Sequence, residues 1–222
     1  MSMDLYDKAS KDPDLGQSPI WSKYTRESFV PFFITARADV WQEWTSDGRI
    51  ELKPGAADYF NEFRGSGNHR RFGLVTGMPY ELVTHSVSNV LGIDDFLPPT
   101  RDRRVCCDDQ RLNGRGKPDP LCYELGMSHF VDQYGISPRD MYTVEDRANG
   151  AVAALKARYN EANKSHQGEQ IGRVVVIPDP NDVNPIAEWD KKGLMFQHLK
   201  LFPEDINRLV FLRSLEGLHF AR

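Results

Sequence analysis

The chain of 222 residues (25.4 kDa) is long enough for one large α/β domain, or for a domain with a small subdomain. Its 40% hydrophobic and 27% charged residues, with a mean hydropathy of −0.55, exclude a mainly disordered or collagenous chain. A net charge of −4 gives no electrostatic footprint for nucleic acid or an anionic membrane, and no stretch approaches the roughly 18 apolar residues of a membrane span, so neither is expected as a partner.

The opening residues, Met1 to Asp7, lack a basic region followed by an apolar one, so no secretory leader is expected. The three cysteines, Cys106, Cys107 and Cys122, are an odd and small set that suits a reducing compartment, and a cytoplasmic location is expected. Cys106 and Cys107 are adjacent, which a relaxed disulfide disfavours. No Cys-x-x-Cys occurs, and the six histidines are scattered, so a zinc site is not expected.

The element pattern divides at about residue 50. Residues 1–20 read as a polar, irregular lead-in. Residues 21–46 are dense in aromatics, and the spacing of Phe29, Phe33, Val40 and Trp44 predicts one or two amphipathic helices. Pro54-Gly55 opens a helix over Ala56 to Arg64. Short apolar runs then alternate with helical stretches. Strands are expected at 72–76, 104–107, 140–144 and 172–177. Helices are expected at 79–91, from 118 to beyond 125, and at 149–159, with a polar loop over 160–170 and a closing helix over 203–215. This alternation predicts an α/β fold with a mostly parallel sheet, whose ligands sit beyond the carboxyl ends of the strands.

Two polar pairs fall at such ends. Thr76-Gly77 offers a hydroxyl and an unobstructed backbone N–H, which suit a phosphate oxygen; the same pair also suits a plain strand-to-helix turn. Glu145-Asp146 offers two hard carboxylates, which suit Mg²⁺; Asp146 also suits an N-cap for the next helix. Lys117, in a Gly-rich loop before a helix, either neutralises a phosphoryl group or is simply solvated. Gly-x-Gly-Lys here is not a Walker loop, because Gly-x-x-x-x-Gly-Lys-Ser/Thr is absent.

The order of these signals is more specific than any one of them. An apolar strand ending in Thr76-Gly77, then Gly116-Lys117-Pro118-Asp119-Pro120, then a strand ending in Glu145-Asp146-Arg147-Ala148-Asn149-Gly150 resembles the haloacid dehalogenase-like hydrolase superfamily. The likeness runs over about residues 54–180 and is greatest to the phosphoglycolate phosphatase and β-phosphoglucomutase branch. It implies a Rossmann-like parallel sheet flanked by helices over 51–222, with residues 1–50 as lead-in and the remnant of a helical cap. It also implies roles. Thr76 would hydrogen-bond the transferring phosphoryl group, with Gly77 beside it. Lys117 would bridge the nucleophile and the phosphoryl charge. Asp146 would ligate Mg²⁺, with Glu145 either a second ligand or an orienting group. Arg147 stands where the family often has serine.

The superfamily's first motif, a strand ending in Asp-x-Asp, is not found. Asp12-Pro13-Asp14 follows the polar Lys8 to Lys11, which could not form a buried strand, and Phe32 to Thr35 is followed by Ala36-Arg37-Ala38 instead. Asp179 follows a good strand but comes after the fourth motif. The expectation is that this strand lies upstream of Met1, or that the nucleophile has been lost. Either way the central sheet is left incomplete, which predicts a weaker sheet or rescue by a partner chain. The resemblance thus implies Mg²⁺-dependent hydrolysis (or mutase transfer) of a small phosphorylated metabolite in the complete protein and impaired turnover here. The alternative is a catalytically inactive binding or regulatory relative. If the cap is incomplete, Trp21, Trp41 and Trp44 of the N-terminal helices would be exposed, and a surface for self-association is then expected.

Overall fold

In a computed structural model, the described residues are 55–65, 71–162, 164–177 and 207–211, with single positions scattered between 11 and 47. The elements are α1 (Ala56–Gly65), β1 (Leu74–Val75), α2 (Tyr80–Thr84), β2 (Arg104–Val105), α3 (Leu121–Tyr134), β3 (Tyr142–Glu145), α4 (Ala148–Lys156), β4 (Arg173–Val176) and β5 (Leu209–Phe211). Most of the expected N-terminal aromatic helices lie outside the described residues. Those described there, among them Thr35, Ala36, Asp39, Val40 and Trp44, are helical, and the Trp44 side chain is exposed.

Every strand pairing is parallel, as the alternation requires. The strands form two sheets rather than one: β1-β2, and β3-β4-β5. Among the described residues, β1 and β3 each have a strand partner on one side only. Exposure follows from this. Val105 and Val174 to Val176 are buried, whereas β1 is half-buried and Val144 of β3 is 37% exposed. The sheets are held together through helices: α3 packs on β1 and β2 and touches α4, which packs on β3 and β4. The core between them is Val105, Tyr123, Met127, Leu155, Val174 and Val176 with their neighbours. A second cluster joins α1 to the region after β1, with Phe60 against Phe72 and Phe96. Tyr59 of α1 also reaches β3, where its hydroxyl lies 2.6 Å from that of Tyr142.

Several boundaries differ from expectation. The helix expected over 79–91 begins after Pro79, but its second half, His85–Leu91, widens into a π-helix that Gly92 ends in the left-handed region (φ 60°). The third helix starts only at Leu121, because Pro118 and Pro120 lie in the turn before it. Helix α4 stops at Lys156 rather than 159. Ala157 is extended there, and Arg158 bridges to Gln170 across the polar loop. The closing helix is the main correction. Residues 209–211 form β5, parallel to β4, with Val174 donating its N–H to the carbonyl of Arg208. Leu209-Val210-Phe211 is a β-favouring run that gains a ladder of hydrogen bonds at the exposed edge of β4, and this overrides the helical spacing read from the wider stretch.

Candidate active site

The carboxyl ends of β1 and β3 meet at one ammonium. Lys117 Nζ donates to the Val75 carbonyl at the end of β1 (3.0 Å) and to Glu145 Oε1 at the end of β3 (2.6 Å). Its side chain is 19% exposed and that of Glu145 8%. The loop carrying Lys117 is anchored where it enters α3, with Asp119 accepting the Leu121 N–H and so satisfying one of the helix's first donors. Lysine has three ammonium donors. Two are used here, and among the described residues no third acceptor lies on it.

Thr76 follows Val75 directly. Its N–H donates to Val105 in the sheet and its hydroxyl accepts the Met78 N–H at 3.2 Å, a local turn that leaves Gly77 exposed at the strand end. Asp108, at the end of β2, accepts the Tyr80 N–H, and the Cys107 N–H donates to Met78. The loops after β1 and β2 are thereby fixed to each other. The structure therefore brings Thr76, Gly77, Lys117 and Glu145 together, with Asp146 beside Glu145.

The two adjacent carboxylates differ sharply. Glu145 is buried. Burial pushes its carboxyl up, while Lys117 pulls it back down and the neighbouring Asp146 adds to the rise. Its Oε1 accepts from both Lys117 and the Tyr123 hydroxyl. A Cβ built on Gly150 would fall 1.8 Å from its Oε2, so the carboxylate occupies space on the first turn of α4 that only glycine leaves. Asp146, in contrast, is half-exposed, with Arg147 at 3.8 Å. No cluster of three or more His, Cys, Asp or Glu side chains among the described residues is placed to hold a metal ion.

The cysteines take no part. Burial holds Cys106 at about 12 and Cys122 at about 11, so both stay thiols at neutral pH, and all three are free. Sequence reasoning did not single out Tyr123 or assign a role to Gly150. The signal was present: Gly150 closes the Glu-Asp-x-x-x-Gly stretch, and Tyr123 sits in the first turn of the helix that follows Lys117.

Comparison with known families decides the class. The haloacid dehalogenase-like hydrolase family matches residues 16–158, more than half of the chain. The chain belongs to that family. The match begins well upstream of the stretch that carries the motifs and ends short of the expected 180. Members of the family generally use Mg²⁺. Comparisons with curated proteins and with solved structures return no match. Asp12-Pro13-Asp14 precedes the matched region and lies outside the described residues.

Proposed function

We propose that this haloacid dehalogenase-like chain carries the phosphoryl-binding side of a Mg²⁺-dependent phosphatase for a small phosphorylated metabolite, and that its turnover is impaired because the nucleophilic aspartate is missing. The observation that carries this reading is the Lys117 ammonium. It is fixed between the ends of β1 and β3, at the strand end that Thr76 and Gly77 directly follow, with one donor left over among the described residues. Fixed donors at a strand end suit a phosphoryl oxygen, and phosphoryl transfer depends largely on such positioning and charge neutralisation. In this reading the two sheets are halves of one Rossmann-like core, and the helical residues before position 48 belong to a remnant of the cap.

The donor set fits a Mg²⁺ ion anchored by Asp146. Its carboxylate is half-exposed, and Mg²⁺ is commonly held by one or two carboxylates with the remaining positions filled by water and substrate. When bound, the ion supplies charge neutralisation at a phosphoryl oxygen. Glu145 takes the orienting role, because its Oε1 already accepts an ammonium and a phenol. Arg147, exposed and 3.8 Å from Asp146, would compete with the ion for that carboxylate.

The alternative, a relative that binds a phosphorylated ligand without turning it over, is favoured by one observation. The carboxylate within reach of Lys117 is Glu145, which is buried and committed, and no larger acidic cluster exists among the described residues. Two measurements test these readings. Calorimetry with inorganic phosphate should show binding that Lys117→Ala abolishes; absence of binding to the wild-type chain overturns the phosphoryl-site reading. Turnover of p-nitrophenyl phosphate with Mg²⁺ should be near background. Robust Mg²⁺-dependent turnover that Asp146→Ala removes would overturn the impairment and establish the phosphatase.

A further inference from the structure

We infer that Tyr123 is a positioning residue, which holds the Glu145 carboxylate and, through it, the Lys117 ammonium at the phosphate-binding strand ends; the functional part of this rests on the reading of Lys117 just given. Three observations converge on it. The Tyr123 hydroxyl donates to the same oxygen, Glu145 Oε1, that receives Lys117. The ring of Tyr123 lies beside the ammonium, with Nζ 5.2 Å from its centroid, where the negative π-face attracts a cation. Tyr123 is itself 5% exposed and part of the core between the sheets, so its hydroxyl cannot swing away to water.

The geometry leaves Glu145 little freedom. Gly150 gives its second oxygen room on the α4 side, while Tyr123 and Lys117 hold the first. A flexible lysine stem would otherwise sample many rotamers, and the cost of ordering it would fall on ligand binding. With Glu145 pinned, Lys117 is ordered before a ligand arrives. Tyr123 touches neither Thr76 nor Gly77 in any described contact, so it acts through the carboxylate and the lysine.

The test is competitive acetylation of lysines by N-acetoxysuccinimide, read by peptide mass spectrometry, on the full chain and on Tyr123→Phe, which removes only the hydroxyl. Lys156, which has no part in either hydrogen-bonded cluster, serves as the internal reference. Lys117 should react slowly in the wild type and roughly tenfold faster in Tyr123→Phe, the scale expected for losing a hydrogen bond to a charged group. Tyr159→Phe, which loses a comparable hydrogen bond to Asp132 on the far side of α3, should leave Lys117 unchanged. Glu145→Gln should release Lys117 in the same direction. A folded Tyr123→Phe chain with unchanged Lys117 reactivity overturns the inference, and so does one that fails to fold, because Tyr123 is then a fold residue. Inorganic phosphate titrated in parallel separates this from the parent reading. Faster labelling with weakened phosphate binding supports both. Faster labelling in Tyr123→Phe, with a wild type that binds no phosphate, keeps the positioning role and removes the phosphate site.

Discussion

Gly150→Ala is expected to destabilise the protein, although the same exchange in an ordinary helix interior stabilises it. Gly150 is the third residue of α4, and alanine there should gain about 0.5–1 kcal/mol from helix propensity. The new Cβ would fall 1.8 Å from Glu145 Oε2 and 2.3 Å from its Cδ. The carboxylate is the end of a flexible side chain and would normally turn aside cheaply. Here turning aside means giving up the bonds from Lys117 and Tyr123, and a hydrogen bond to a charged group is worth about 1.5–3 kcal/mol. The two bonds together outweigh the gain, and a net destabilisation of about 2–5 kcal/mol follows, at and above the upper end for overpacked cores. Urea unfolding followed by circular dichroism would measure it, with Glu145→Ala as the second background. Once the carboxylate is gone, the added methyl has room and Gly150→Ala should become neutral or stabilising. A stabilising Gly150→Ala in the wild-type background, or the same cost in both backgrounds, would refute the reasoning, since the clamp on Glu145 would then hold nothing in place.

Other substitutions probe the surrounding fold. Gly172→Ala puts a Cβ 1.9 Å from the Arg139 carbonyl oxygen, a backbone atom with no rotamer to escape into, so chemical denaturation should show a loss of about 3 kcal/mol, the upper end for overpacking. Phe96→Ala removes a fully buried ring that packs on Phe60 and lies under the Arg64 guanidinium, and should cost about 3–5 kcal/mol in the same assay. Acid should weaken the protein partly through Asp109, because hydrogen bonds from Arg111 hold this buried carboxyl below its ordinary range. A depressed folded value means that its stabilisation is present above the unfolded pKa, near 4, and is lost as the pH falls through the folded value. Urea midpoints taken from pH 7 downward should therefore fall less steeply in Asp109→Asn than in the wild type.

Much of the site was legible in the sequence because its chemistry sits at strand ends, and strand ends are marked by abrupt changes from apolar to polar. Val75 to Thr76 and Val144 to Glu145 are such changes, and the structure puts both beside Lys117. The element order was legible for the same reason, each buried strand being a short apolar run. What was not legible depended on contacts between distant segments. The helical spacing of 203–215 gave no sign that Leu209 to Phe211 would complete the edge of β4, since that pairing needs a neighbour 35 residues earlier in the register of Val174 with Leu209. The end of α4 was misplaced because Arg158 is drawn into a bridge with Gln170. Which of the two adjacent carboxylates, Glu145 and Asp146, would be buried could not be read from the residues themselves. Glu145, the last residue of β3, turns inward and Asp146, just beyond it, is exposed, and the register that decides this alternation is a tertiary property.

That alternation is what makes the site more than an internal ion pair. A half-buried lysine with a buried carboxylate is weak evidence of stabilisation, because removing both charges from water offsets most of their attraction. Placing it where two sheets present their carboxyl ends therefore asks for another reason. Lys117 reaches 42 residues back to Val75 and 28 forward to Glu145, and ties the ends of two strands from different sheets, each with a strand partner on one side only among the described residues. A hydrophobic residue could fill the same space without leaving a donor unused. The ammonium leaves one among the described residues, at the strand end that Thr76 and the exposed Gly77 follow, and Asp146, next to Glu145, stays accessible. On the proposed reading, one carboxylate is spent on holding the cation and the other stays open to the counter-ion of an anionic ligand. The sequence shows no Asp-x-Asp at a strand end, so on the proposed reading ligand binding and turnover are separate questions, and each has to be measured on its own.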